Sequence, residues 1–172
     1  MSEYRRIYQR GGSYFFTLVT HQRKPLFSDA NHVDILRRAM RQVMSTRPFT
    51  IHAIVVLPDH LHCIMQLPDG DADYSSRWRE IKKAVSRQIA PLSNERNERM
   101  VWQRRFWEHA IRDENDWQRH ADYIHYNPVK HGLVTRPALW PWTSFHKAVE
   151  RGIYDPEWGL QEPPAISHMD CE

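Results

Sequence analysis

The stretch Val55-Val56-Leu57-Pro58-Asp59-His60-Leu61-His62-Cys63-Ile64-Met65 constrains this chain most. Two apolar runs meet at Pro58-Asp59, a turn-forming pair, and a connection this short joins antiparallel strands. Side chains on a strand alternate faces, so His60 and His62 share one face while Leu61 and Cys63 point to the other. Two imidazoles one pleat apart are placed to hold a divalent ion. His52, alone on the neighbouring strand, reads as structural. A closed zinc site would take four N or S ligands, and Cys63 is out of phase to join. An open site with two imidazoles, one amide oxygen and phosphate oxygens of a substrate is the better fit, and suits Mg²⁺ or Mn²⁺.

The remaining elements follow in order. Ser13 to Thr20 is aromatic and β-branched between glycines and Pro25, which reads as a first strand. A helix capped near Ser28 or Asp29 buries Leu36, Ala39, Met40, Val43 and Met44 and ends before Pro48. Phe49 to Leu57 and His60 to Leu67 are the strands of the turn. A second helix, capped by Ser75 or Ser76, buries Trp78, Ile81, Val85 and Ile89. Trp107 to Arg112 alternates as a fourth strand. A third helix starts at Asp113 or Asn115 and is expected to stop near Tyr126, because Asn127 precedes a proline. The order predicts an α+β fold: a ferredoxin-like antiparallel sheet with helices on one face plus a C-terminal tyrosine-bearing helix. Residues 1–160 read as one domain with a basic N-terminal arm. The Trp- and Pro-rich stretch after Gly132 reads as an irregular wrap, and residues 161–172 as a disordered tail.

Composition narrows the class of partner. Net charge is only +3, yet 24 Lys and Arg lie among seven Trp and seven Tyr. Cations that neutralise phosphates beside rings that stack on bases suit a nucleic acid, although a solvated basic surface around a tryptophan core would look the same. The candidate contacts are Tyr4, Arg5 and Arg6 in the arm, Arg77, Trp78, Arg79, Lys82 and Lys83 on the second helix, and Arg104 and Arg105. No stretch is apolar enough to span a membrane, and Met1 to Arg6 lacks a signal-peptide core. Cys63 and Cys171 suggest no disulfide framework. The expectation is a cytoplasmic protein. No phosphate-cradling glycine loop followed by Lys-Ser/Thr is present, so no nucleotide cofactor is expected.

On the third helix, Trp117, Ala121 and Ile124 form a core stripe. Asp116, His120, Tyr123 and Asn127 form a second stripe beside it, at spacings of four, three and four. Tyr123 can therefore project from the margin into a site that Asn127 also reaches, whereas Tyr126 points roughly opposite the core. A phenol has a pKa near 10 and attacks only with help from a metal, a base or a well-placed target. Plain packing of Tyr123 and a helix-ending role for Asn127 are the simpler readings of these two residues taken alone.

Several motifs together resemble a known family. His60-Leu61-His62 resembles the His-hydrophobe-His motif of HUH endonucleases. Asp122-Tyr123-Ile124-His125-Tyr126-Asn127-Pro128-Val129-Lys130-His131-Gly132 resembles the tyrosine helix of single-tyrosine transposases. Tyr4-Arg5-Arg6, the Gly11-Gly12 to Thr17 strand, Ser75 to Lys83 and Trp102 to Arg112 resemble REP-associated tyrosine transposases, over about Tyr4 to Trp158. The resemblance implies an enzyme that binds single-stranded DNA folded into hairpins at repetitive extragenic palindromes (REPs). It also implies cleavage and rejoining through a 5′-phosphotyrosine. By motif match Tyr123 is the nucleophile, His60 and His62 are metal ligands, and Asn127 stands at the third ligand position, where many relatives carry glutamine. Relatives occur as dimers that exchange the tyrosine helix and as monomers, and the sequence does not decide between them. Two other readings remain open: a palindrome-binding regulator without productive cleavage, and a metal-dependent nuclease that uses water.

Overall fold

The computed structural model describes residues 6–90 and 100–172. Four strands, β1 (Ser13–Val19), β2 (Thr50–Val56), β3 (His60–Gln66) and β4 (Trp107–Ala110), form one sheet in the order β2-β3-β1-β4. Every neighbouring pair is antiparallel. Helices α1 (Ala30–Thr46) and α2 (Tyr74–Ile89) lie between strands in the chain; α3 (Glu114–Lys130) and α4 (Phe145–Glu150) follow β4. This is the expected ferredoxin-like order.

Period-two patterning decides which face each helix covers. Tyr14, Phe16 and Leu18 of β1 and Leu61, Cys63 and Met65 of β3 point to one face, where they pack with Val33, Leu36 and Val43 of α1 and Trp78, Ile81 and Val85 of α2. Phe15 and Ile64 point to the other, under Ala121, Tyr123 and Ile124 of α3. The sheet is thus covered on both sides, with α1 and α2 on one face and the tyrosine helix on the other. His60 and His62, in phase with Ile64, are on the α3 side.

Local rules set most helix starts. The side chains of Asp29, Asp73 and Asp113 accept from the backbone N–H of Asn31, Ser76 and Asp116, capping α1, α2 and α3. The cap of α2 thus lies upstream of the expected serines. Two further expectations are corrected. Helix α3 does not stop at Tyr126 but runs through Pro128 to Lys130. Proline removes only the N–H that Ile124 would have received, a small loss this near the helix end. Nor is the segment from Gln161 disordered: it forms a 3₁₀ turn at Pro164–Ile166 and buries Ile166 and Cys171 against the α3 side. The Trp-rich wrap is also ordered. The indole N–H of Trp140 donates to the Val56 carbonyl at 2.9 Å, and Val56 N–H donates to Trp142 O at 2.9 Å, closing the outer edge of β2.

Asp116 ties α3 to β4. Its carboxylate accepts from His109 Nε2 at 2.8 Å and from the Arg112 backbone N–H at 3.0 Å. Burial would raise its pKa, but these bonds and the nearby imidazoles bring it down from 3.8 to about 2. A carboxyl more acidic in the folded state adds stability above its unfolded pKa and loses it as pH falls through the folded value. Asp116→Asn should therefore cost about 2 kcal/mol at neutral pH, and the gap to wild type should close between about pH 4 and pH 2. Urea unfolding at a series of pH values measures it; a gap that does not narrow would mean the charge is not what stabilises.

Candidate active site

The two histidines are placed by the β3 register, His60 opposite Val19, and His62 opposite Thr17 on one side and Val55 on the other. Both are buried, with ring centres 4.8 Å apart. Their tautomers follow from their partners. His60 Nδ1 lies 2.6 Å from the Asp59 carboxylate, which can only accept, so Nδ1 carries the proton. The Thr17 hydroxyl donates to Cys171 O at 2.6 Å, so at 2.8 Å it must accept from His62 Nδ1. In each ring Nε2 therefore holds a lone pair, and both Nε2 atoms are buried without a hydrogen-bond partner among the described residues.

An orphaned buried acceptor costs about 1–3 kcal/mol, so two side by side call for an occupant. The ring nitrogens of His60 and His62 and a carboxylate oxygen of Glu172 lie within 4.8 Å of one another. Two neutral imidazoles, oriented through Nδ1 by a carboxylate and a hydroxyl, are what a divalent ion requires. Burial keeps them neutral. It lowers the His60 pKa against the pull of Asp59, and it lowers that of His62 well below the usual value, with the His60 charge adding to the effect.

Arg23 braces Asp59 from outside, Nη1 to Oδ2 at 3.1 Å. It does so from a left-handed backbone, φ 49°, following Gln22 at φ 54°. Such angles cost a non-glycine residue about 1–2 kcal/mol, and they cluster where a site needs a fixed geometry.

Helix α3 supplies the other half. The Tyr123 ring centre is 5.3 Å from that of His62 and 6.0 Å from Phe15. Its hydroxyl accepts from Lys130 Nζ at 3.1 Å and from the Cys171 backbone N–H at 3.3 Å. Lys130, seven residues on, returns to the same helix face, with its ammonium 4.7 Å above the Tyr123 ring. Burial raises the Tyr123 pKa, while Lys130 works to lower it. One residue further, the His131 ring is 5.1 Å from His60. Asn127, midway between Tyr123 and His131, is fully buried, and both its amide atoms lack a partner among the described residues. An amide stranded on this stripe is consistent with the third-ligand role. Tyr126 turns away, edge-on to Trp158.

The segment once expected to be disordered fills the gap between these halves. Cys171 bonds Tyr123 through its N–H and Thr17 through its carbonyl. Glu172 reaches His131 Nε2 at 2.6 Å, Arg23 at 3.7 Å and Lys130 at 3.8 Å. Sequence reasoning missed Thr17, Arg23, Asp59, Lys130, His131 and Glu172 as site residues. Only Lys130 and His131 had a local signal, their helical phase with Tyr123, which the assumed stop before Pro128 concealed.

The expected nucleic-acid contacts fare unequally. Tyr4 and Arg5 lie outside the described residues. Arg6 donates to Ser75 Oγ at 2.7 Å and stacks 4.4 Å over Phe106. Arg77 is corrected: it is buried, donating to the carbonyls of Arg47, Pro48 and Asp73 and to the Asp71 carboxylate. Trp78 is corrected too, since it is wholly buried edge-on to Phe16. Neither side chain presents a surface to DNA in this fold. Lys82 is half-buried on the carbonyls of Gln103 and Arg104, and burial draws its pKa down to about 8. Arg79, Lys83, Arg104 and Arg105 are exposed.

Residues 9–127 match the family of IS200-like transposases, so the span of the match takes in both histidines, Tyr123 and Asn127. The chain belongs to that family. It is 49% identical over 158 residues to a REP-associated tyrosine transposase of Escherichia coli strain K12, covering 92% of this chain and 91% of that protein. Among solved structures it is similar to a REP-associated tyrosine transposase bound to a REP hairpin, with a TM-score of 0.82, 45% identity and 99% of each chain covered. No helix among the described residues is long and apolar enough to cross a membrane.

Proposed function

We propose that this chain binds REP-type DNA hairpins and cleaves and rejoins the adjoining single strand through Tyr123, with a divalent ion, Mg²⁺ or Mn²⁺, held by His60, His62 and Asn127. What carries the reading is the approach of the Tyr123 ring to His62 beside two buried, unpartnered Nε2 atoms. A bound ion would polarise the scissile phosphate. The Tyr123 oxygen forms a bond to phosphorus as its proton passes to solvent, and the 3′ oxygen leaves and takes a proton from solvent to end as a 3′-OH, so the linkage energy is kept in a 5′-phosphotyrosine and rejoining needs no nucleotide. Lys130, 3.1 Å from the Tyr123 oxygen, stabilises the phenolate as the hydroxyl proton departs. Asp59 and Thr17 hold the two imidazoles in the tautomers that leave Nε2 free. Tyr4, Arg5, Arg6, Arg79, Lys82, Lys83, Arg104 and Arg105 are the remaining contacts for the DNA. Residues 1–160 act as one domain, in the cytoplasm.

The test is incubation of the purified protein with end-labelled single-stranded palindrome DNA and Mn²⁺. A slow-migrating protein–DNA adduct that survives denaturation is expected, and its loss with a chelator. Cleavage that leaves a 5′-phosphate free of protein would favour water as nucleophile. Hairpin binding with no cleavage in either metal would favour a regulator.

A further inference from the structure

Burial takes Arg77 and Trp78 out of contact with DNA. A second basic surface lies elsewhere, at the outer edge of β2. There α1 and α4 flank a groove made of two adjoining hollows of about 310 and 470 Å³, with Met40 and Ile54 in the floor of both. Arg37 and Arg41 stand on the α1 side. Lys147 and Arg151 stand on the α4 side.

Arg37 and Arg41 sit one turn apart on α1, a like-charge arrangement that opposes folding, and Arg151 closes α4 four residues after Lys147. Among the described residues no Asp or Glu lines either hollow. Arg37 reaches Asp34 at 3.6 Å, but among the described residues Arg41, Lys147 and Arg151 have no ion-pair partner. A chain with 21 acidic residues has enough carboxylates to intersperse here. Four cations facing across a furrow, Arg37 alone of them ion-paired among the described residues, leave a local excess of positive charge, and a polyanion would relieve it.

The position is equally telling. Ile54 in the groove floor pairs with Cys63, and the next residue, Val55, pairs with His62. Ile54 shares the α1 face with Cys63, so the groove lies on the face opposite His62, beside the β2 edge of the sheet. A duplex lying here would deliver its unpaired flank around the sheet edge towards Tyr123. The groove rim offers cations and little to stack on, since Trp142 is already edge-on to Trp140. That chemistry fits phosphates and not splayed bases.

The geometry points to the groove between α1 and α4 as a phosphate-binding track for the paired stem of a DNA hairpin, gripped by Arg37, Arg41, Lys147 and Arg151. This rests on the hairpin-binding function proposed above, and it assigns the stem to a surface that the sequence motifs do not mark. Each cation that neutralises a phosphate of duplex DNA steepens the salt dependence of binding by about 0.9 in log–log slope.

The experiment is a fluorescence-anisotropy titration of the full chain from low to moderate salt, with two probes. One is a hairpin with its single-stranded flank; the other is the same flank without a stem. Arg41→Ala with Arg151→Ala should weaken hairpin binding roughly tenfold or more and flatten its salt slope by about 2, and leave the stemless probe unaffected. Both side chains are exposed, and an unchanged melting temperature confirms the fold. An unchanged hairpin slope in the variant would overturn the groove assignment while leaving the proposed function standing. An equal loss on the stemless probe would place the unpaired strand there and also overturn it. Failure of the wild-type protein to bind the hairpin at all would remove the function on which the groove depends.

Discussion

Tyr123→Phe should abolish the covalent protein–DNA adduct, with a fall in cleavage of at least about 10⁴-fold, because it deletes the attacking oxygen and little else. The ring stays, and with it the packing on Phe15 and His62. The lost hydrogen bonds to Lys130 and Cys171 are worth about 1 kcal/mol each, too little to unfold a domain. Hairpin affinity should therefore match wild type while the adduct disappears from a denaturing gel. Tyr126→Phe is the matched control, since Tyr126 packs on Trp158 and away from the histidines. If Tyr123→Phe still forms the adduct, the nucleophile is another residue. If it cleaves normally but leaves a free 5′-phosphate, Tyr123 is a packing residue and water attacks.

The parts of this arrangement that were legible in the sequence are those written in local rules. A period of two put His60 and His62 on one face, and Pro58-Asp59 made the strands antiparallel, so the half-site on β3 could be read from a dozen residues. The caps at Asp29 and Asp113 were equally local. The phase of α3 was legible in part: it turned Tyr126 away from Tyr123, but Tyr126 is buried beside Trp158 and does not point away from the core as expected. What escaped reading depends on distant partners. Arg77 looks like a solvent charge on a basic helix, and only the loop carbonyls at Arg47 and Pro48 make its burial affordable. Lys130 was hidden by a rule that holds in helix interiors and relaxes in the last turn, where Pro128 sits. The role of Cys171 is set by its bond to Thr17, 154 positions away, and no window on the sequence contains both.

Removing residues 167–172 should raise the rate of adduct formation, by up to about a hundredfold. The reason is occupancy. Cys171 N–H uses the oxygen that must attack, and Cys171 O draws on the Thr17 hydroxyl that orients His62. Glu172 sets a carboxylate among His131, Arg23 and Lys130, the cationic surroundings that a scissile phosphate would need. A substrate must displace these contacts before reaction. Two hydrogen bonds and a partly exposed ion cluster amount to about 3 kcal/mol, and each 1.4 kcal/mol is a factor of ten, hence the hundredfold. Ile166 remains in the truncated chain, so part of the apolar anchor on the α3 side is kept, while Met169 and Cys171 are lost from it. Glu172→Gln separates the two ways the segment can act. If the carboxylate only competes with phosphate, Glu172→Gln should give part of the gain and leave metal affinity alone. If it is a ligand beside His60 and His62, both Glu172→Gln and the truncation should need more Mn²⁺ for half-maximal rate. A truncated protein no faster than wild type at saturating metal would mean that the segment does not obstruct the phenol.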